Sequence, residues 1–483
     1  MSSKAVRILV VMLLFTTFAR SQNSNVMYYM NIPQNHLLNP ALRPSSTFYL
    51  GLGITGIGIG LNNNYFNFSD VIMPGRSDSL ITFLHPDYDV DKFLGKVKAG
   101  NFLTPQADVQ LFGLGFNAGK DTYIFLDLIE RVKGNITLPG DLIRVMLKGN
   151  EEFVGKTMDL GALDASLMYF REAGIGFSAP AGKRARFGIR AKALFGIAGI
   201  SLDNKFLSIT VNDDYTHIFN ADLTANISGP VTVYFGADNK PDSLSVDEDK
   251  LKSKDFYLNT RNAGLGLDIG AVVNITDRLS VSAAVTDLGF LRWNDMITNI
   301  KAESQFTFSG FNITDVVNGT KTFDELADEM LDSLKNSVIV TDEKSSFSNW
   351  LAPSVSVGAS YNITKSLGVG VLSRTFFEKS GLREMVTLSA NLNVGSAFST
   401  SISYTATGYS YDNFGAGMAF KAGFLQFYVL ADRIPVIWNK IIKDDVKIPL
   451  PENWNVIGLR FGVNMAIGNN VKKKSDRPML KVE

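Results

Sequence analysis

From Gln22 onward the chain never runs through about twenty uncharged apolar residues, the length a helix needs to cross a hydrocarbon core. Its dominant pattern is a period of two. Leu459, Phe461, Val463, Met465 and Ile467 interleave with Arg460, Gly462, Asn464 and Ala466. Leu265, Leu267, Ile269, Ala271 and Val273 interleave with Gly264, Gly266, Asp268 and Gly270, and Val386, Leu388, Ala390, Leu392 and Val394 with Thr387, Ser389, Asn391 and Asn393. Successive strand side chains point to opposite faces, so each segment has one greasy and one wet face. Such a chain enters a membrane only as a closed sheet, because an open edge would leave backbone groups without partners in oil.

Segments of this kind fall at about 47–61, 106–118, 121–132, 162–179, 184–201, 261–274, 278–291, 352–362, 366–376, 384–394, 397–408, 412–421, 424–432 and 454–467. That predicts fourteen strands. After every even-numbered strand comes a turn of two to four residues, and after the odd ones a longer link of up to about sixty. An even strand count, short turns at one end and long loops at the other describe an antiparallel up-and-down barrel of the bacterial outer membrane. Trp293, Trp350, Trp438 and Trp454 all fall at the long-loop end, which predicts an aromatic girdle there. Asp127, Arg190, Lys192, Asp268, Arg374, Gln426, Arg460 and Asn464 are expected to line the lumen, more as a salt-bridge network than as a selectivity filter. A fourteen-stranded interior is wider than one filled by side chains alone and narrower than an open porin.

Two strands strain the pattern. In the first, Phe48, Leu50, Leu52 and Ile54 are even-numbered but Ile57, Ile59 and Leu61 odd, which predicts a β-bulge at Gly56. In the fourth, Arg171 shares a face with Leu167, Tyr169, Ala173, Ile175 and Phe177 and so belongs at headgroup level or in another register.

Residues 1–21 have a secretory pattern: Lys4 and Arg7, an apolar run from Ile8 to Phe18, then Ala19-Arg20-Ser21, with cleavage expected before Gln22. Removing Lys4, Arg7 and Arg20 leaves 44 basic against 47 acidic residues, a net charge of −3. Residues 22–46 precede the barrel, as a plug in the lumen or a cover at its periplasmic mouth. Residues 468–483 form a basic tail holding Lys472, Lys473, Lys474, Arg477 and Lys481. The links contain helical patterns around Val90–Val97, Leu142–Met146 and, after the capping box Thr322–Glu325, Phe323–Leu334; these would form a lid over the outer mouth or an apolar groove for an incoming ligand. Segments 204–212 and 215–227 extend the wall as a hairpin.

Little in the chain is suited to chemistry. There is no Cys, and His36, His85 and His217 are scattered, which argues against disulfides, thiolate chemistry and a metal cluster. Basic and acidic residues balance at 47 each, so nucleic acid is not an expected partner. Gly51-Leu52-Gly53-Ile54-Thr55-Gly56 fits a dinucleotide fingerprint but lies within a strand with no helix after it. Asn-Ile-Thr triplets at Asn274 and Asn362 fall on tight turns, where turn chemistry explains them. No nucleophile, acid and base assemble, so neither catalysis nor a cofactor is expected.

Leu38-Asn39-Pro40-Ala41-Leu42-Arg43-Pro44, the hairpin Val273–Val281 and its continuation Ala283–Trp293, with Asp287-Leu288-Gly289-Phe290, resemble a family of Bacteroidetes outer-membrane proteins known as a domain of unknown function. Asn39-Pro40-Ala41 before the first strand is also similar to the long-chain fatty-acid transporter superfamily. That resemblance implies fourteen strands, an N-terminal segment inside the lumen and a path for a hydrophobic ligand. The expected role is passive passage of a hydrophobic or amphipathic small molecule, with outer-membrane lipid as surroundings. The alternative is a structural or accessory barrel with an envelope protein partner from surface-assembly or secretion machinery.

Overall fold

The computed structural model describes residues 25–67, 70, 72–74, 80–82, 85, 88–119, 121–236, 241–308, 338–379, 381–411, 413–434, 438–443, 446–451 and 456–468. Fourteen strands close into one antiparallel barrel: β1 (Phe48–Asn63), β2 (Gly100–Ala118), β3 (Thr122–Pro139), β4 (Asp164–Ala181), β5 (Ala185–Val211), β6 (Ala263–Asn274), β7 (Leu279–Trp293), β8 (Ser354–Asn362), β9 (Leu367–Glu378), β10 (Gly381–Val394), β11 (Phe398–Thr407), β12 (Asn413–Ala422), β13 (Leu425–Ala431) and β14 (Val456–Ile467). Each pairs with its neighbour, and β1 closes the ring on β14 from Phe48↔Ile467 to Asn62↔Val456.

The two faces separate as the alternation requires. Leu459, Phe461 and Val463 are exposed on the outside while Arg460 and Asn464 are buried inside; Leu265 and Ile269 point out where Asp268 points in. Among the described residues no helix is long and apolar enough to cross a membrane. The chain crosses with strands, an apolar wall outside and polar groups within, and is an outer-membrane barrel. The two Asn-Ile-Thr turns are built alike: Thr276 Oγ1 accepts from the Arg278 and Leu279 amides, and Thr364 Oγ1 from those of Ser366 and Leu367.

Both irregular strands have physical explanations. The slip in β1 lies at Gly53–Thr55 rather than at Gly56. Gly53 takes φ +75°, and pairing with β2 resumes at Gly56↔Gln110. Against β14, six residues of β1 stand opposite three, because Leu50 pairs with Met465 and Ile57 with Phe461. An odd number of extra residues reverses the parity of everything after them. Arg171 does lie on the outer face, in register with Glu130 of β3, and its Nε donates to Glu130 Oε1 at 2.7 Å.

The aromatic girdle needs correction at Trp293. Asp287 adopts φ +62°, so the inward positions of β7 change from even to odd. Trp293 is therefore fully buried, stacked on Phe347, its Nε1 donating to Asn349 at 2.8 Å. Trp350 is 76% exposed and lies against Phe290 of the outer face. Trp438 begins a separate hairpin, Trp438–Lys443 with Val446–Pro451, and Trp454 lies outside the described residues. The expected signal segment 1–21, the helix expected at 323–334 and the tail beyond 468 also lie outside them.

Beyond the barrel, the far end of β5 pairs with His217–Ser228, then Ile297–Phe308, then Val338–Glu343, forming a sheet on the extracellular side. The helices Val90–Leu94 and Gly140–Lys148 share one apolar cluster of Leu94, Val97 and Ile143, so their greasy faces cover each other.

Residues 25–46 run inside the barrel as a plug, with two short 3-10 turns, Asn25–Met27 and Pro33–Leu37. Tyr28, Met30, Ile32 and Leu38 are wholly or almost wholly buried. Inward glycines make the seat. A Cβ on Gly188 would come within 2.2 Å of the Pro40 carbonyl, and one on Gly370 within 2.5 Å of the Tyr29 ring.

Candidate functional site in the lumen

The lumenal wall divides into two halves with different chemistry. The first, on β2 to β7, is an ion network. Arg190 of β5 bonds Asp127 of β3 through Nε at 3.0 Å, Asp268 of β6 at 2.9 Å and Glu172 of β4 at 2.5 Å. Lys192 bridges Asp268 at 2.6 Å and Asp287 of β7 at 2.5 Å; Lys133 reaches the other Asp287 oxygen at 2.6 Å, and Arg131 meets Glu172 at 3.1 Å. Four cations thus face four carboxylates. Burial of such groups is tolerable only with this degree of mutual pairing.

Glycines let the long cations span strands. Arg190 crosses β4 over Gly174, where a Cβ would come within 2.5 Å of the guanidinium, and so reaches Asp127 two strands away. Arg460 of β14 repeats the device over Gly58 of β1 to reach Asp108 of β2, at 2.7 and 2.5 Å. These ion pairs join strands that share no backbone ladder.

The second half, on β8 to β12, is lined by Ser356, Thr387, Asn391, Ser399, Ser401, Ser403 and Thr405, all buried. Its partners come from the plug. Asn25 Nδ2 donates to Thr387 Oγ1 at 3.0 Å, and the Asn31 amide to Ser399 Oγ at 3.1 Å. The Tyr29 hydroxyl donates to the wall carbonyls of Val371, at 2.7 Å, and Ala359, at 3.1 Å. Burial raises the pKa of the Tyr29 hydroxyl well above its ordinary value, which keeps the donor protonated.

His36 and Gln34 of the plug also meet the rest of the wall. His36 packs against Phe125 with the ring planes tilted by 35° and centroids 4.3 Å apart; its Nδ1 lies 2.7 Å from the Pro33 carbonyl and its Nε2 3.3 Å from Asp127. Gln34 Nε2 donates to Asn464 Oδ1 at 2.8 Å and to Gln110 Oε1 at 3.1 Å. Gln110 lies beside the bulge of β1, where its carbonyl accepts from Thr55 Oγ1 at 3.1 Å. The plug therefore backs the irregular part of the wall from inside.

All eight residues expected in the lumen are buried there. Asp127, Arg190, Lys192 and Asp268 meet in the ion network; Arg374 donates to Asn25 at 3.2 Å, Gln426 to the Asn31 carbonyl at 3.0 Å, Asn464 to Gln34 at 3.0 Å, and Arg460 is held by Asp108. Sequence reasoning missed Asp108, Arg131, Lys133, Glu172 and Asp287. Strand parity contained the signal for Arg131 and Glu172, since the first is four residues from Asp127 and the second adjoins the outward Arg171. His36, His85 and His217 lie in the plug, the first loop and the extracellular hairpin, and among the described residues no cluster of three metal-ligating side chains forms.

The profile described as a family of unknown function, DUF5723, matches residues 40–432, and the chain belongs to that family. No curated protein matches it. Among solved structures it is similar to the toluene transporter TbuX of Ralstonia pickettii, at 9% identity over 94% of this chain and 100% of that one, with a TM-score of 0.41. It is similar to the Pseudomonas putida toluene transporter TodX at 8% identity, 92% and 97% coverage and a TM-score of 0.38. A FadL homologue of Pseudomonas aeruginosa gives 8%, 91%, 95% and 0.39. Likeness at this level carries no argument about ligand, and the fold stands on the strand pairing of this chain.

Proposed function

We propose that this member of the DUF5723 family lets a hydrophobic or amphipathic small molecule pass the outer membrane without catalysis, leaving sideways through the wall at Gly53–Thr55. The observation that carries the reading is the three-residue excess of β1 over β14, backed from inside by Gln34 of the plug. Straight descent is disfavoured for an apolar solute, because the lumen holds a plug and a wall of charges and hydroxyls whose desolvation an apolar group cannot compensate. Lateral exit demands only that the plug shift Gln34 and that the bulge part from β14.

Deleting Gly53–Thr55 would make β1 flush with β14. Uptake of an oleate or toluene probe into cells or proteoliposomes is expected to fall to background in this variant, while its closed barrel is retained by heat-modifiable gel mobility. Uptake equal to that of the unaltered chain would contradict the reading.

The extracellular sheet favours a second reading, an accessory barrel that presents this surface to an envelope partner. Crosslinking on native envelopes, followed by purification, would then recover one stoichiometric protein, lost when the hairpin 204–227 is shortened.

A further inference from the structure

The outer wall holds a feature that passage through the lumen does not use. Across β8 to β12 the apolar surface sinks into a groove of about 570 Å3. Its floor is Ala359 and Ala390, and its sides are Tyr361, Leu388, Ile402 and Phe414, between 43% and 66% exposed. The depression arises because the small outward residues Ala359 of β8 and Ala390 of β10 flank Val369 and Val371 of β9, with larger side chains beyond them.

At its lower end the groove meets the short turns. Leu279 and Tyr361 line it there, next to Arg278 and Lys365, both exposed, with Asp277 as the acidic residue on the same turns. Apolar volume in the bilayer-facing belt, closed at the headgroup plane by cations, matches a molecule with an acyl chain and an anionic head. The short turns face the periplasm, so the molecule belongs to that leaflet.

We propose that this groove binds one anionic glycerophospholipid of the periplasmic leaflet, its acyl chain over Ala359 and Ala390 and its phosphate between Arg278 and Lys365. A generic annular contact would not discriminate headgroups or depend on two alanines.

The test is native mass spectrometry of the full chain in mild detergent, titrated with dioleoylphosphatidylglycerol and, separately, dioleoylphosphatidylcholine. One phosphatidylglycerol is expected to be retained in preference to phosphatidylcholine. Arg278→Gln and Lys365→Gln should each lower that retention roughly five-fold, the effect of one cation near an anionic headgroup. Ala390→Trp should abolish it by filling the groove, whereas Lys183→Gln and Ala191→Trp, on another turn and wall, should leave it unchanged. Folding is checked by heat-modifiable mobility, and the two charge variants keep the test decisive if Ala390→Trp fails to fold. Equal retention of the two lipids would overturn the proposal, as would wild-type retention in a folded Ala390→Trp chain. So would a dimer peak that Ala390→Trp removes, because a second copy would then be the occupant.

Discussion

The two halves of the lumen are stabilised in different ways. On β2 to β7 the wall is cross-linked to itself, with Arg190 joining carboxylates of β4 and β6, which are not neighbours, and Lys192 those of β6 and β7. On β8 to β12 many inward side chains are small hydroxyls and amides, Arg374 and Arg383 apart, and the groups that bond to this wall, Asn25, Tyr29 and Asn31, belong to the plug. The first half can keep its shape if the plug moves. The second cannot, so displacement of the plug opens space along β8 to β12 first.

The sharpest way to break this contrast is Arg190→Ala. It leaves Asp127, Glu172 and Asp268 buried without their main cation and is expected to cost about 3–5 kcal/mol or to prevent assembly. Urea unfolding of the refolded barrel, followed by Trp fluorescence, measures it. A loss below that of any plug variant would contradict the self-supporting wall.

Next is Gly370→Val, which drives a side chain into the Tyr29 ring. Forced repacking of this kind costs about 1–3 kcal/mol. Because the plug yields before the wall, single-channel conductance in planar bilayers should rise above that of the unaltered chain. Unchanged conductance would mean that the plug does not seal this half. Tyr29→Phe removes one donor shared by two carbonyls and should cost about 1 kcal/mol in the same unfolding assay, with conductance nearly unaltered.

The smallest effect belongs to the outer face, away from both halves. Arg171→Gln and Glu130→Gln should each destabilise more than half as much as the double variant, leaving a coupling of about 0.2–1 kcal/mol in a double-mutant cycle. Zero coupling would show that the pair is only adjacent.

The barrel was legible because its determinant is local: each strand reports its own inside and outside through parity, and the link lengths report the two ends. Parity fails where the backbone leaves the β region. Nothing in the sequence around Asp287 announces φ +62°, so Asp287 went unplaced and Trp293 was assigned to the wrong face. The plug was harder to read. It has no period, and the surface that receives it is made of glycines such as Gly188 and Gly370, which in sequence are simply small residues of the wet face. Gly174 and Gly58 likewise acquire meaning only when a long cation two strands from its carboxylate passes over them.

The whole account depends on which way β14 faces. With no native cysteine, spin labels can be placed singly at positions 459 to 464 in proteoliposomes, and their collision rates with oxygen, which dissolves in lipid, measured one by one. The account predicts maxima at Leu459, Phe461 and Val463 and minima at Arg460, Gly462 and Asn464. Maxima at the even positions, or no alternation, would contradict it.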